Sequence, residues 1–368
     1  MSKLADQVRR HQIAAFLIIT FAITWGLGFS YDAMRNPDKV LLIPLAFVAT
    51  CCPALAGIIV TRLSCAQPAQ GRGKAPWIAF LAALVLSTVV FLAHQALINH
   101  VPLSIGMAGF ILVSVTPVAF VISAAWSRIP AVKRYLASLI SVRGVLGWAL
   151  LAVVLIPGLL LLAIPFGSLL GRHSVSPSQI QGTGLTLIGL IAVKFLYQLF
   201  FFNATGEEVG WRGFALPRLQ TRASPLVASL VLTVFWAPWH FFLWQAEGTP
   251  VHTWQYWLEE YLFLIPPTFI IVWLCNRSKG SILVAGFAHA AGNTALAFLP
   301  GGDWLVQTVI TGLAALMLVV IDRMWRRLPP DHAAVYTSRE PISPPILEPV
   351  HSPAHGVASQ ANCIATEE

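Results

Sequence analysis

From Lys39 to Gly206 the chain contains neither aspartate nor glutamate. Charge is scarce throughout: 10% of the 368 residues are Asp, Glu, Lys or Arg, against about 25% in a soluble domain. A deficit spread over most of the length excludes an ordinary water-soluble globular chain. Cysteine is scarce as well. Cys51, Cys52, Cys65, Cys275 and Cys363 are odd in number and lack zinc-finger spacing, so no disulfide or structural-zinc framework is expected. There is no internal repeat pairing two halves of the chain. Strict alternation of apolar and polar residues is also missing, which excludes a membrane β-barrel.

What fills the chain is apolar: 57% of residues are hydrophobic. Spanning a bilayer core takes about 20 apolar residues. About ten stretches approach that length, at 12–31, 40–61, 77–98, 105–126, 145–166, 184–206, 225–245, 257–275, 281–299 and 304–322. A backbone in hydrocarbon must satisfy its own polar groups, so these stretches are expected as helices. The expected fold is all-α: a polytopic transmembrane helical bundle of about 8–10 spans.

The formal net charge of +8 follows from topology. With the N-terminus inside and the spans alternating, most Lys and Arg fall on the inner side. Only Arg35, Lys39 and Arg172 fall outside, and Lys194 lies within a span. That asymmetry obeys the positive-inside rule and places both termini in the cytoplasm, with a bacterial cell membrane as the expected location. The basicity requires no nucleic-acid partner, and membrane lipid is the partner that the composition implies. Residues 1–130 form the N-terminal transmembrane helices and 131–328 a core that carries the polar clusters. Residues 329–368, rich in Pro, Ser, His, Ala and Glu, read as a disordered cytoplasmic tail. Cys363-Ile364-Ala365-Thr366 is followed by Glu367 and Glu368, so it is not a C-terminal prenylation box.

Three polar clusters stand in apolar surroundings. The first ends the acid-free run: Glu207-Glu208-Val209-Gly210-Trp211-Arg212. On a helix Glu208 and Arg212 are i and i+4 and can pair, which leaves Glu207 turned about 100° away, towards a cavity. If the helix stops near Gly206, the doublet is instead a solvated pair at the membrane surface. The second cluster is Trp236-Ala237-Pro238-Trp239-His240, with Trp236 and His240 on one face and a proline that can kink the helix beside the histidine. The third is His289-Ala290-Ala291-Gly292-Asn293, again with its polar residues at i and i+4. Each cluster alone has an ordinary explanation, such as hydrogen bonding that glues spans together. Ionisable residues in a span are costly, however, and by default mark function.

Taken in order, Glu-Glu-x-x-x-Arg, aromatic-x-x-x-His and His-x-x-x-Asn resemble the motifs of the CPBP family of intramembrane proteases. That family includes the type II CAAX prenyl endopeptidases and bacteriocin-processing and immunity relatives. The resemblance covers roughly residues 130–300. One position departs from it: the family's second motif usually begins with Phe, and here Trp236 holds that place. The resemblance implies an intramembrane endopeptidase. Glu207 would be general base and later acid, and His240 would position or activate water. His289 and Asn293 would form the oxyanion site, with Glu208 and Arg212 in support.

A buried carboxylate beside an imidazole is, on its own chemistry, a water-activating pair. The same residues also admit a metal. Glu207, His240 and His289 make a His₂Glu set acceptable to zinc with an open fourth position. The metal-free glutamate mechanism is the preferred reading. The expected substrate is a peptide near the membrane, possibly lipidated and of CAAX type. Two readings from other classes stand beside it: a proton-coupled transporter, since intramembrane Glu, Arg and His can line a proton path, and a non-enzymatic scaffold or immunity protein.

Overall fold

The structure is a computed structural model and describes residues 3–33, 39–65, 68–101, 107–172, 180–246, 249, 251–300 and 302–329. Among these residues there are helices and turns and no strand. Seven helices are long and apolar enough to cross a membrane, and Gly109–Ala124, Pro225–Trp239 and Ile282–Phe298 are shorter apolar helices. The ten expected stretches thus all contain helices, three of them shorter than a full crossing. The expected tail lies outside the described residues from 330 onward. The chain is a multi-pass membrane protein.

Outward faces carry large apolar side chains, with Leu185 87% and Leu169 81% exposed, as a lipid-facing bundle requires. The interior is built differently. With no hydrophobic drive between helices in lipid, close approach of small residues supplies the packing. At Gly206 an added Cβ would lie 2.6 Å from the carbonyl oxygen of Thr50, and at Gly286 it would lie 2.4 Å from the Cβ of Ala204. These contacts bring Lys39–Ser64 and Ile282–Phe298 against the helix that carries the acidic doublet. The first spans belong to the same packed interior. Phe16 meets Trp211 edge-on at 5.4 Å and stacks on Phe214 at 5.1 Å, and Trp239 Nε1 donates to Thr24 Oγ1 at 2.9 Å.

The helix of the acidic doublet runs without a break from Gly184 to Gln220, 37 residues. Its middle, Leu199–Ala215, winds as a π-helix, with i→i+5 hydrogen bonds and a wider turn. Such winding is usually a single-turn bulge and concentrates at functional sites. Side chains from neighbouring helices bond to its carbonyls. Thr50 donates to Phe201 O at 3.2 Å, and Tyr135, on Pro130–Ile140, donates to Val209 O at 2.6 Å. Burial pushes the Tyr135 phenol above its ordinary range, so it remains a protonated donor.

The next helix, Pro225–Trp239, starts at Ser224, whose hydroxyl accepts from Val227 N. It stops one residue past Pro238, and His240 is its C-cap. Pro238 lies inside the helix, next to its last residue. The chain turns there into the short helix Phe241–Ala246.

Candidate active site

The acidic doublet lies inside the bundle, within an unbroken helix. Glu207 is 4% exposed, Glu208 0% and Arg212 1%, which rules out the solvated helix-end pair. Glu208 and Arg212 pair as their spacing predicts, Nη1 to Oε1 at 2.9 Å. The same oxygen of Glu208 accepts from His289 Nδ1 at 2.8 Å. One carboxylate thus ties together the acidic helix and the helix Ile282–Phe298.

Glu207 turns the other way. Its Oε2 accepts from the indole nitrogen of Trp236 at 2.6 Å, and its Oε1 accepts from Asn203 Nδ2 at 3.4 Å. His240 Nε2 stands 3.6 Å from Oε2, beyond direct hydrogen-bond distance. The other ring nitrogen of His240, Nδ1, lies 3.0 Å from the carbonyl oxygen of Trp236. A carbonyl only accepts, so Nδ1 carries the proton, and in the neutral ring Nε2 is an acceptor. Nε2 therefore faces a carboxylate oxygen across 3.6 Å, an imidazole lone pair beside a carboxylate.

Trp236 is the hub of the cluster. Its ring centroid lies 5.4 Å from that of His240 and 5.3 Å from that of His289, and the Arg212 guanidinium sits over its face at 4.7 Å. The substitution of Trp for the usual Phe therefore adds chemistry. A phenyl ring can wall a cavity, whereas the indole also donates to the carboxylate. Trp239 and Trp244 flank His240, the latter stacked at 4.3 Å between centroids, which fixes the plane of the imidazole.

One residue of the cluster escaped sequence reasoning. Asn203, fully buried, donates to Glu207 and accepts from Asn293 Nδ2 at 3.4 Å. It bridges the first and third motifs. The i, i+4 rule that paired Glu208 with Arg212 points equally from Glu207 back to Asn203, and that was the available signal. His289 and Asn293 do project to one side of their helix, but their contacts with the acidic helix part, one to Glu208 and the other to Asn203.

The zinc alternative requires Glu207, His240 and His289 as one donor set. Among the described residues, no three His, Cys, Asp or Glu side chains come together with the spacing of a metal site. Glu207 bonds to Trp236 and Asn203, and His289 bonds through Nδ1 to Glu208. His289 and His240 each bond through Nδ1, to Glu208 and to the Trp236 carbonyl, which leaves both Nε2 atoms uncommitted.

Residues 189–295 match the family model described as "Type II CAAX prenyl endopeptidase Rce1-like". All three motifs lie inside that match. The chain is also similar to the CAAX prenyl protease 2 of Methanococcus maripaludis, 33% identical over 180 residues. That alignment covers 47% of this chain and 62% of the relative, so the chain spans somewhat less than two thirds of the relative's length.

Proposed function

We propose, from the match of residues 189–295 to the Rce1-like CAAX prenyl endopeptidase family model, that this chain is an intramembrane endopeptidase working by a metal-free glutamate mechanism. The observation that carries the reading is the buried Glu207 carboxylate, with Trp236 on Oε2 and His240 Nε2 at 3.6 Å from the same atom.

In this mechanism water donates a proton to Glu207 Oε2, and His240 Nε2 beside that oxygen helps to position the water. As its oxygen attacks the scissile carbonyl, Glu207 takes the proton. The carbonyl π electrons move to oxygen, and N–H groups of His289 and Asn293 stabilise the oxyanion. His289 can serve only with a proton on Nε2, since its Nδ1 proton is held by Glu208; the ring is then an imidazolium with Glu208 as counter-ion. Collapse of the intermediate breaks the C–N bond, and protonated Glu207 gives its proton to the leaving amine. The substrate class supported by the relative's name is the C-terminal peptide of a lipidated protein, whose apolar anchor would lie in the bilayer beside the site.

The test is cleavage of a quenched fluorescent peptide library, prenylated CAAX peptides included, by the protein in liposomes. Glu207→Gln is expected to lower kcat by about 10²–10⁴-fold, the range for loss of a general base, at unchanged abundance. A folded Glu207→Gln protein that cleaves at the unmodified rate would sink the reading.

A further inference from the structure

A cavity lies at the opposite end of the Ile282–Phe298 helix from Asn293, among helix ends rather than motifs. It encloses about 240 Å³ and is lined by Arg143, Lys279, Arg277, Ser141, Val145 and Trp148, among others. That is smaller than a pocket for a drug-sized ligand, about 300–1,000 Å³. It is formed by the turn between the helices Pro130–Ile140 and Leu146–Leu169 and by the turn that follows Trp254–Arg277. Both turns fall on the inner side by the distribution of basic residues.

Three cations face this cavity. Arg277 is engaged with Asp322, at 2.6 Å and 2.5 Å. Arg143 and Lys279 are exposed at its edge, and among the described residues no carboxylate pairs with either. Lys279 is held at the rim by a left-handed backbone, φ 52°, a conformation uncommon outside glycine and asparagine. The helix Leu146–Leu169 begins here, and its N-cap, Val145, offers no side-chain hydrogen bond. The first-turn N–H groups are therefore free to meet an anion. Two unpaired cations, a hydroxyl from Ser141 and an uncapped helix start share one concavity. All of them favour the same ligand, a compact oxyanion with several acceptors.

We propose that this cavity binds a phosphate group, carried either by an anionic phospholipid headgroup or by a soluble phosphate. Basic pockets between transmembrane helices at the inner surface suit such headgroups. The site is independent of the peptidase chemistry, so it stands or falls separately from it.

The experiment uses the full chain in neutral detergent, titrated calorimetrically with short-chain phosphatidylglycerol, with phosphatidylcholine and with inorganic phosphate. Arg143→Gln/Lys279→Asn is compared with Arg326→Gln/Arg327→Gln, which removes two exposed cations elsewhere. Asparagine keeps the left-handed backbone at 279. The unmodified protein is expected to bind phosphatidylglycerol or phosphate. The cavity variant should bind at least tenfold more weakly, roughly fivefold for each cation, and the control variant should bind as the unmodified protein does. Phosphatidylglycerol binding that phosphate does not displace assigns a lipid; displacement by phosphate assigns a soluble anion. The proposal is overturned if neither anion binds, if phosphatidylcholine binds equally, or if the control pair loses as much. Should the double variant fail to fold, each single variant is expected to show its own fivefold loss, and two single variants binding normally would overturn the site.

Discussion

The indole nitrogen of Trp236 donates to Oε2 of Glu207 across 2.6 Å, the same oxygen that faces His240. Where a phenylalanine would only wall the cavity, tryptophan holds the carboxylate in the orientation that turns it to the imidazole. Trp236→Phe keeps the aromatic wall and removes one hydrogen bond to a charged group, worth about 1.5–3 kcal/mol. The expected result is a loss of stability of about that size together with a fall in kcat/KM of roughly tenfold or more. Steady-state cleavage and thermal unfolding on the same preparation separate the two effects.

Arg212 and Glu208 form a pair from which water is excluded. Arg212→Met leaves a buried carboxylate with His289 as its remaining partner, and breaking such a pair costs about 3–5 kcal/mol. Replacing both partners, Glu208→Met/Arg212→Met, should recover most of that stability. It should not restore cleavage, because His289 has then lost its counter-ion. Equilibrium unfolding in mixed micelles gives the first quantity and peptide cleavage the second. Recovery of both together would reduce the pair to a packing element.

Close packing at the doublet is a separate, testable matter. At position 206 an added methyl group meets the Thr50 carbonyl, whereas at Gly147 nothing lies within 4 Å. Gly206→Ala is expected to destabilise by about 1–3 kcal/mol, the usual cost of overpacking, and to lower activity by separating the helices. Gly147→Ala should be close to neutral. Equal effects at the two positions would mean that the backbone contact at Thr50 relaxes freely.

Chelators address the mechanism directly. With water activated by Glu207 and His240 alone, exhaustive treatment with a zinc chelator should leave the cleavage rate within about twofold of its starting value, a difference of about 0.4 kcal/mol in the barrier. Loss of activity that added zinc restores would transfer water activation to a metal ion.

Much of this was legible in the chain because each signal was local. The acid-free run ending at Glu207, the i, i+4 spacing of Glu208 and Arg212, and the apolar lengths all rest on helix geometry and bilayer thickness. Helix type and the buried pair followed from them. What stayed hidden depends on which helices touch. The link from Glu208 to His289 joins residues 81 positions apart, and no periodicity encodes that pairing. The π winding of Leu199–Ala215 is likewise invisible to an apolar count, since its wider turn is held by contacts such as Tyr135 to Val209. Trp236 was expected as a supporting residue beside His240, but its hydrogen bond to Glu207 was not foreseen: its difference from phenylalanine matters only once an acceptor is known to lie within reach.

The acidic helix runs from Gly184 to Gln220 with no loop along its length, and Glu207 sits well within it. Under the proposed function, a peptide would then be admitted by movement of the helices around this one. The joint nearest the chemistry is the corner at His240, where one helix of 15 residues ends and another of 6 begins. Any swing of that corner carries the imidazole away from Glu207. Under the proposed function, the part of the fold best able to yield to a substrate is also the part that sets the imidazole beside the carboxylate.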